Sequence, residues 1–267
     1  MPSAFSLSSR LLAAVHAIGP SAVAFSGGID SALVAAAFLR AKIPVLAIHI
    51  ALPLQPRSEA ARVPEIACQL GLPFKQKKVT LSQLPFLKNN PPDRCYLCKK
   101  TLLTLIQSTA QKSGYKTLCD GTHTSDLSDH RPGMKAVAEF HVRSPLLDAQ
   151  LTKPEILRLA RLWRIPFVGR VSSACLATRI PTHAPVTQEK LTAIEAAEEA
   201  LLNLGFTTFR VRHHDTIARI EFPPKHFPRA LKLRPQILAA LLPLGFRFIT
   251  LDLSGYKTGN MNSPPKS

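Results

Sequence analysis

The chain has 267 residues, 46% of them hydrophobic, with 34 basic side chains against 17 acidic ones and a formal charge of +17. That length suits one large domain or two smaller ones, and the apolar content is ample for a core. Charges and prolines interrupt every apolar run, so no membrane span is expected, and residues 1–20 lack the basic stretch and long apolar segment of a secretory leader. The expectation is therefore a cytoplasmic protein. The positive balance invites a nucleic-acid partner. Its Lys and Arg residues are dispersed along the chain, however, which suits a polyanionic small substrate equally well. Five cysteines, an odd number, argue against a disulfide framework in a reducing compartment.

Apolar spacing predicts a first helix over 7–18, and 22–25 reads as a buried parallel strand. The next six residues are Ser26, Gly27, Gly28, Ile29, Asp30 and Ser31, and an Ala- and Leu-rich helix follows over 32–40. Strand, glycine turn and helix N-terminus together aim backbone N–H groups and a positive dipole end at one spot, where an anion fits. The glycines let the backbone approach a phosphate, and Ser26 and Ser31 add hydroxyl donors. Asp30 would repel phosphate, so it reads as a magnesium ligand or a brace for the loop. The spacing departs from the usual P-loop. It resembles the SGGxDS pyrophosphate loop of the ATP pyrophosphatase superfamily, which implies cleavage of ATP to AMP and pyrophosphate.

Residues 44–50 read as a second parallel strand, 58–70 as a helix closed by Gly71, and 73–79 as a short strand. Cys68 lies on the apolar side of that helix and is expected to be buried. Strands alternating with helices predict an α/β fold with a doubly wound parallel sheet, whose ligands lie beyond the strands' carboxyl ends.

Two prolines at 91 and 92 open a loop ahead of Arg94, Cys95, Cys98, Lys99 and Lys100, and a helix is expected over 101–112. A thiol at a helix entrance among cations favours thiolate. A single CxxC reads as a redox pair, half of a zinc site or part of an iron–sulfur site. Residues 117–119 read as a strand end with Cys119 buried, and they run into Gly121, Thr122, His123 and Asp126, then Arg131. Residues 144–147 read as a further strand end. Thr152 and Glu155 form a capping-box pattern, with Pro154 in the first turn of a helix. Trp163 is read as a packing residue, and Cys175, among small residues and ahead of Arg179, is a candidate reactive thiolate. From Pro185 the texture changes: a long helix over 187–204, strands over 209–214 and 217–222, a helical stretch over 225–242 and a closing strand over 246–253. This predicts a small second α+β domain. The expected domains are 1–170 and 171–267, with a disordered tail from Met261.

Four stretches in this order — 93–100, 172–181, 218–221 and 255–259 — together with the glycine loop and the Gly121 region, resemble the LarE family. These are ATP-dependent sulfur transferases of nickel-pincer nucleotide cofactor biosynthesis. The resemblance spans about residues 21–262 and implies adenylation of a carboxylate of pyridinium-3,5-biscarboxylic acid mononucleotide, then conversion to a thiocarboxylate. It implies ATP and Mg2+ at Ser26, Gly27, Gly28, Asp30 and Ser31, with Gly121, Thr122, Asp126 and Arg131 near the nucleotide. It implies a substrate site with Arg94, Arg179, Arg210 and Arg212, the last three suited to a phosphate, and with carboxylates at Glu199 and Glu221. The family delivers sulfur in two ways. Either a cysteine at the position of Cys175 surrenders its own sulfur, or three cysteines hold a [4Fe–4S] cluster. Cys95, Cys98 and Cys175 match the cluster type, which is the expectation, since three thiolates leave one iron open for sulfide. A homo-oligomer is also expected. The chain departs from the family at His123, where Asn is commoner, and at 213–215, which lack a glycine. The rival readings are a tRNA-thiolating enzyme of the same superfamily and a non-catalytic nucleotide or zinc protein.

Overall fold

The computed structural model describes residues 4–126, 133–166 and 175–257. The chain divides into two compact units. The first comprises Met1–Leu52, Arg57–Val79 and Cys95–Ser172; the second comprises Pro53–Pro56, Thr80–Arg94 and Ser173–Ser267. A single cut after residue 170 does not describe this division, because two earlier segments belong with the C-terminal part.

In the first unit, helix α1 (Ala4–Ile18) is followed by strand β1 (Ser21–Ala24), helix α2 (Ile29–Arg40), strand β2 (Val45–Ala51), helix α3 (Arg57–Gln69) and strand β3 (Phe74–Lys78). Helix α4 (Arg94–Gln111), strand β4 (Thr117–Cys119) and helices α5 (Gly133–Glu139), α6 (Pro145–Asp148) and α7 (Lys153–Leu162) complete it. The sheet order is β3-β2-β1-β4, and all three pairings are parallel. β1 and most of β2 are buried, as strands covered on both faces must be, and their apolar runs reflect it. α2 has nine buried residues, among them Leu33, Val34 and Phe38, and its Ala-rich sequence lets it pack closely in the core with Leu7, Leu11 and Trp163. Truncating a fully buried side chain such as Phe38 to Ala would cost about 3–5 kcal/mol. β3 is the exposed edge, and its Lys75, Lys77 and Lys78 blunt it against pairing with another strand.

The second unit contains helix α8 (Gln188–Asn203), the antiparallel pair β5 (Arg210–His214) and β6 (Ile217–Glu221), helices α9 (Phe227–Lys232) and α10 (Arg234–Leu241), and β7 (Phe248–Leu251), parallel to β6. Its core gathers Leu201, Phe206, Phe209, Phe222 and Leu241, with the rings of Phe206 and Phe222 4.4 Å apart. The two-domain α/β expectation therefore holds at the level of fold class.

Three local expectations change. Residues 145–148 form a short helix, because Pro145 sets the first helical position; the strand-like pairing is confined to a single bridge between Cys119 and Arg143. α4 starts at Arg94, so Cys95 and Cys98 lie inside its first turns rather than ahead of the helix. Cys68 is exposed on α3, where Val63 and Ala67 carry the buried stripe. Trp163 is buried beneath the Arg40 guanidinium, 4.7 Å from its ring centroid, as a packing residue should be. Among the described residues, no helix is long and apolar enough to cross a membrane.

Candidate functional site

The strand order reverses direction at β1: β2 and β3 lie to one side and β4 to the other. In such sheets the crevice beyond the carboxyl ends at the reversal is where ligands bind. Both segments singled out in the sequence arrive there, the 25–28 turn after β1 and the 120–126 segment after β4. Gly27 sits at φ +75°, in the left-handed region, and a Cβ on it would come 2.9 Å from Val63 Cγ2. Gly121 is required for space: a Cβ there would lie 2.8 Å from the Ser31 backbone nitrogen and 2.9 Å from Asp30 Cβ. The two turns touch through that glycine.

Ser31 pins the loop. Its Oγ accepts from Ser26 N at 3.2 Å, donates to the Gly28 carbonyl at 3.0 Å and lies 3.1 Å from Ser26 Oγ. Ser26 Oγ in turn accepts from Gly28 N at 3.2 Å. Asp120 organises the other turn, accepting from Thr122 N (3.1 Å), Thr122 Oγ1 (2.8 Å) and Ser144 Oγ (2.8 Å). Asp126 accepts from His123 N at 3.1 Å. These groups border a cavity of about 500 Å³ that also contains Lys99 and Lys153. Lys153 Nζ lies 2.5 Å from Asp30 Oδ1, and Lys99 Nζ lies 3.9 Å from Asp120 Oδ2. The buried His123 ring stands between Asp30 (3.9 Å from Nε2) and Asp126 (3.5 Å from Nδ1). Of the expected nucleotide residues, the structure thus brings Ser26, Asp30, Ser31, Gly121, Thr122 and Asp126 to one cavity. Arg131 lies outside the described residues. Lys99, Asp120 and Lys153 were not anticipated as site residues. Asp120 was within reach, as the acidic residue directly at the strand end.

Lys99 also connects this cavity to the cysteine pair. Cys95 and Lys99 are one helical turn apart on α4 and share a face, with Cys98 three residues from Cys95. Cys95 is exposed and Cys98 partly so. Tyr96 donates its hydroxyl to Glu139, at 3.0 and 2.9 Å from its two carboxylate oxygens, with Lys135 Nζ 5.3 Å from its ring centroid.

The second unit carries the arginines. Arg179 is fully buried and makes a bidentate pair with Glu198, Nε to Oε1 and Nη2 to Oε2, each 3.0 Å. Its Nη1 donates to the Cys175 carbonyl at 3.1 Å, which ties the exposed cysteine to the arginine's position. Glu198 Oε1 also accepts from Val211 N at 3.1 Å. Arg212 pairs with the fully buried Glu221 at 2.8 Å and donates to the Thr178 carbonyl at 3.0 Å. Arg219 shares Glu221 at 3.2 Å and also pairs with Asp252. Arg210, between the two paired arginines in sequence and on the same strand as Arg212, has no hydrogen-bonded carboxylate among the described residues. It donates to the Phe209 carbonyl at 2.7 Å and lies over the Tyr256 ring at 5.3 Å. Burial first, then the Arg179 cation, holds its pKa below the ordinary arginine value. Glu199 is exposed, and the α8 carboxylate that meets Arg179 is Glu198. Helical spacing accounts for this: Leu191, Ile194, Ala197 and Leu201 form the buried stripe, and position 198 continues it at i+4 from 194 and i+7 from 191. Arg94 is buried with its Nη1 on Asn90 Oδ1 at 3.1 Å, and Asn90 donates to the Pro181 carbonyl at 2.8 Å. Arg94 thus helps fasten the 80–94 segment within the second unit.

Among the described residues, no three His, Cys, Asp or Glu side chains gather into a group that would hold a metal ion. Cys95 and Cys98 belong to the first unit and Cys175 to the second.

The first unit is thus an α/β protein of the Rossmann-like kind, with a PP-loop-type glycine turn at its switch point. No protein-family model matches the chain. It is 34% identical over 254 residues, 94% of this chain and 92% of the other, to pyridinium-3,5-bisthiocarboxylic acid mononucleotide synthase of Lactiplantibacillus plantarum. It is also 33% identical to an uncharacterised Synechocystis protein over 243 residues, 90% of this chain and 91% of that one. A third relative, an uncharacterised protein of Methanocaldococcus jannaschii, is 30% identical over 236 residues, 88% and 90% of the two chains. The chain belongs to the LarE family.

Proposed function

We propose that this chain is an ATP-dependent sulfur transferase that converts a carboxylate of pyridinium-3,5-biscarboxylic acid mononucleotide into a thiocarboxylate. The observation that carries the reading is the near full-length match to a synthase of the bisthiocarboxylic acid mononucleotide. The polar cavity at the β1/β4 reversal supports it. Backbone N–H groups at the start of α2, the Ser26 and Ser31 hydroxyls, and Lys99 and Lys153 suit a triphosphate. A carboxylate has no good leaving group. Attack of its oxygen on the α-phosphorus expels pyrophosphate and makes an acyl adenylate. Attack of sulfide on the acyl carbon then expels AMP and leaves the thiocarboxylate. Asp30 offers a hard oxygen donor of the kind that Mg2+ takes, the remaining ligands coming from phosphate and water.

The buried guanidinium cluster suits the substrate's phosphate. Arg210 brings a cation with no bonded carboxylate among the described residues, and Arg179 and Arg212 are held in place by Glu198 and Glu221. Cys95 and Cys98, one helical turn apart on α4, and the exposed Cys175 are soft thiol donors of the kind an iron–sulfur centre takes. A [4Fe–4S] cluster on Cys95, Cys98 and Cys175 would supply sulfide from the iron that lacks a protein ligand.

The test is iron and acid-labile sulfide content after anaerobic purification, for the wild type and a Cys95→Ala variant. Iron near four per chain in the wild type, lost in the variant, supports cluster delivery. No iron in either leaves Cys175 as a consumable donor, revealed by mass loss at Cys175 after turnover. ATP cleavage to AMP and pyrophosphate only when the mononucleotide is present tests the reaction. Retention of tRNA at low salt would favour the thiolating rival.

A further inference from the structure

Lys153 is the first residue of α7, where the positive end of the helix dipole disfavours a cation. Everything else at that terminus follows the rules for a helix start. Thr152 and Glu155 form a capping box, with Glu155 Oε2 accepting from Thr152 N and Thr152 Oγ1 at 2.8 Å each, and Pro154 fixes the first turn. One residue that breaks a local rule at an otherwise optimised terminus is a residue kept for another purpose. Lys153 sends its ammonium to Asp30 Oδ1 at 2.5 Å, and both side chains line the cavity. Asp30 itself stands in the first turn of α2, inside the anion-binding turn.

That pair poses an electrostatic problem for a nucleotide. The cavity wall holds three carboxylates, Asp30, Asp120 and Asp126, against two ammonium groups, Lys99 and Lys153. A polyphosphate entering it meets no surplus of positive side chains among the described residues. A divalent cation accompanying the polyphosphate needs a hard oxygen ligand, and Asp30 is the one in the loop. The ammonium and the cation therefore compete for the same oxygen. A lysine is a compact charge on a flexible four-carbon stem, suited to moving between two anions within one cavity.

We infer that Lys153 is an exchangeable counter-ion. In the nucleotide-free protein it neutralises Asp30; when a divalent cation and a nucleoside triphosphate bind, the cation takes Asp30 and the Lys153 ammonium moves to the pyrophosphate portion. The exchange gives Asp30 a cation in both states, so the empty site carries no unpaired Asp30 charge and in the filled one Asp30 does not face the phosphates without a cation between them. The inference rests on the reading of this cavity as an ATP site.

Two variants of opposite design test it. Lys153→Met exposes Asp30, and Asp30→Asn releases Lys153. Binding of Mn2+ alone is followed by its paramagnetic resonance signal, and binding of pyrophosphate by calorimetry with and without Mg2+. Lys153→Met is expected to bind Mn2+ about tenfold more tightly and Mg2+-pyrophosphate about tenfold more weakly. Asp30→Asn is expected to bind metal-free pyrophosphate about tenfold more tightly and to lose Mn2+ binding. A merely structural pair would weaken every one of these, so losses throughout, or no change in folded variants, overturn the exchange. Should the wild type bind neither ATP nor pyrophosphate, the nucleotide reading itself falls, and the exchange with it.

Discussion

The two units handle charge in opposite ways. In the first, the polar cavity is built from backbone N–H groups and short side chains at strand ends; Asp120 and Asp126 are buried there, but the Asp30–Lys153 ion pair is partly exposed. Asp30 and Lys153 retain 29% and 38% of their side-chain exposure. In the second, guanidinium groups are carried into the protein interior, and each of the two deepest is matched by a carboxylate: Arg179 at 0% exposure with Glu198, and Arg212 at 6% with Glu221 at 0%. A surface-accessible pair can change partners at little cost, whereas a buried pair is a fixture, because removing one member strands the other in a poor solvent for charge. Under the proposed function, the first arrangement suits a triphosphate that arrives with its own metal and leaves in pieces. The second suits a ligand held in one pose while its chemistry proceeds.

The comparison breaks most sharply at Glu198. Glu198→Gln strands the fully buried Arg179, and the expected loss of folding stability is about 3–5 kcal/mol by chemical denaturation. The neighbouring Glu199→Gln, on the exposed face of α8, is expected to stay within about 0.5 kcal/mol. Equal effects at the two positions would mean that Arg179 does not depend on its bidentate partner.

Gly121→Ala attacks the first unit. The added Cβ meets backbone of the α2 turn at 2.8 Å, which no rotamer relieves, so the two strand-end turns must separate. A destabilisation of about 1–3 kcal/mol is expected, with a loss of ATP affinity larger than that of thermal stability. A variant that melts early yet binds ATP normally would show that the turns need not touch.

How far these features could be read without the structure follows the same division. The glycine turn was legible because its chemistry is local: six consecutive residues specify the strand end, the left-handed glycine and the helix start. The Gly121 segment was legible for the same reason. The arginine cluster was only half legible. Alternation over β5 places Arg210 and Arg212 on one face, but which carboxylate meets Arg179 depends on the rotation of α8, and the stripe through Leu191, Ile194 and Leu201 selects Glu198 over Glu199. The role of Lys153 could not be reached from spacing at all. Asp30 is 123 residues away, and the only trace in sequence is a cation where a helix start prefers an anion. The assignment of segments 53–56 and 80–94 to the second unit is equally non-local, resting on bonds such as Leu176 N to the Leu54 carbonyl and Val186 N to the Leu87 carbonyl, both 2.9 Å.

Arg210→Met sharpens the comparison from the other side. Its guanidinium is partly buried, and both desolvation and the Arg179 cation disfavour its charge. Removing it is expected to leave folding stability unchanged or slightly improved, while affinity for the phosphate of the mononucleotide falls about 10–100-fold. Calorimetric titration of wild type and variant with the substrate measures it. A stability loss like that of Glu198→Gln would place Arg210 among the fixtures.

The smallest expected effect is one of pH. His213 and His214 in β5 both have pKa values held below the ordinary histidine value, by burial first, and then by the Lys190 cation for His213 and the Arg219 cation for His214. In the first unit His49 is depressed in the same direction, by burial, with its Nδ1 2.9 Å from the Phe25 carbonyl. As pH falls below about 6.5, the unfolded chain takes up protons that these folded histidines refuse, so ν for the unfolded state exceeds that for the folded one and stability falls with pH. The carboxylates with lowered pKa, Glu155, Glu189 and Asp215, act in a separate window, with stability lost only as pH drops below the usual carboxylate range. Between pH 6.5 and 5 the second unit, with two such histidines against one among the described residues, should therefore weaken more than the first. The protein's one tryptophan, Trp163, belongs to the first unit, so its fluorescence follows that unit while far-UV circular dichroism follows both. Urea midpoints by dichroism should fall below those by fluorescence as the pH is lowered, and His213→Gln should narrow the gap. A fluorescence midpoint that drops first would reverse the assignment and make His49 the acid-sensitive group.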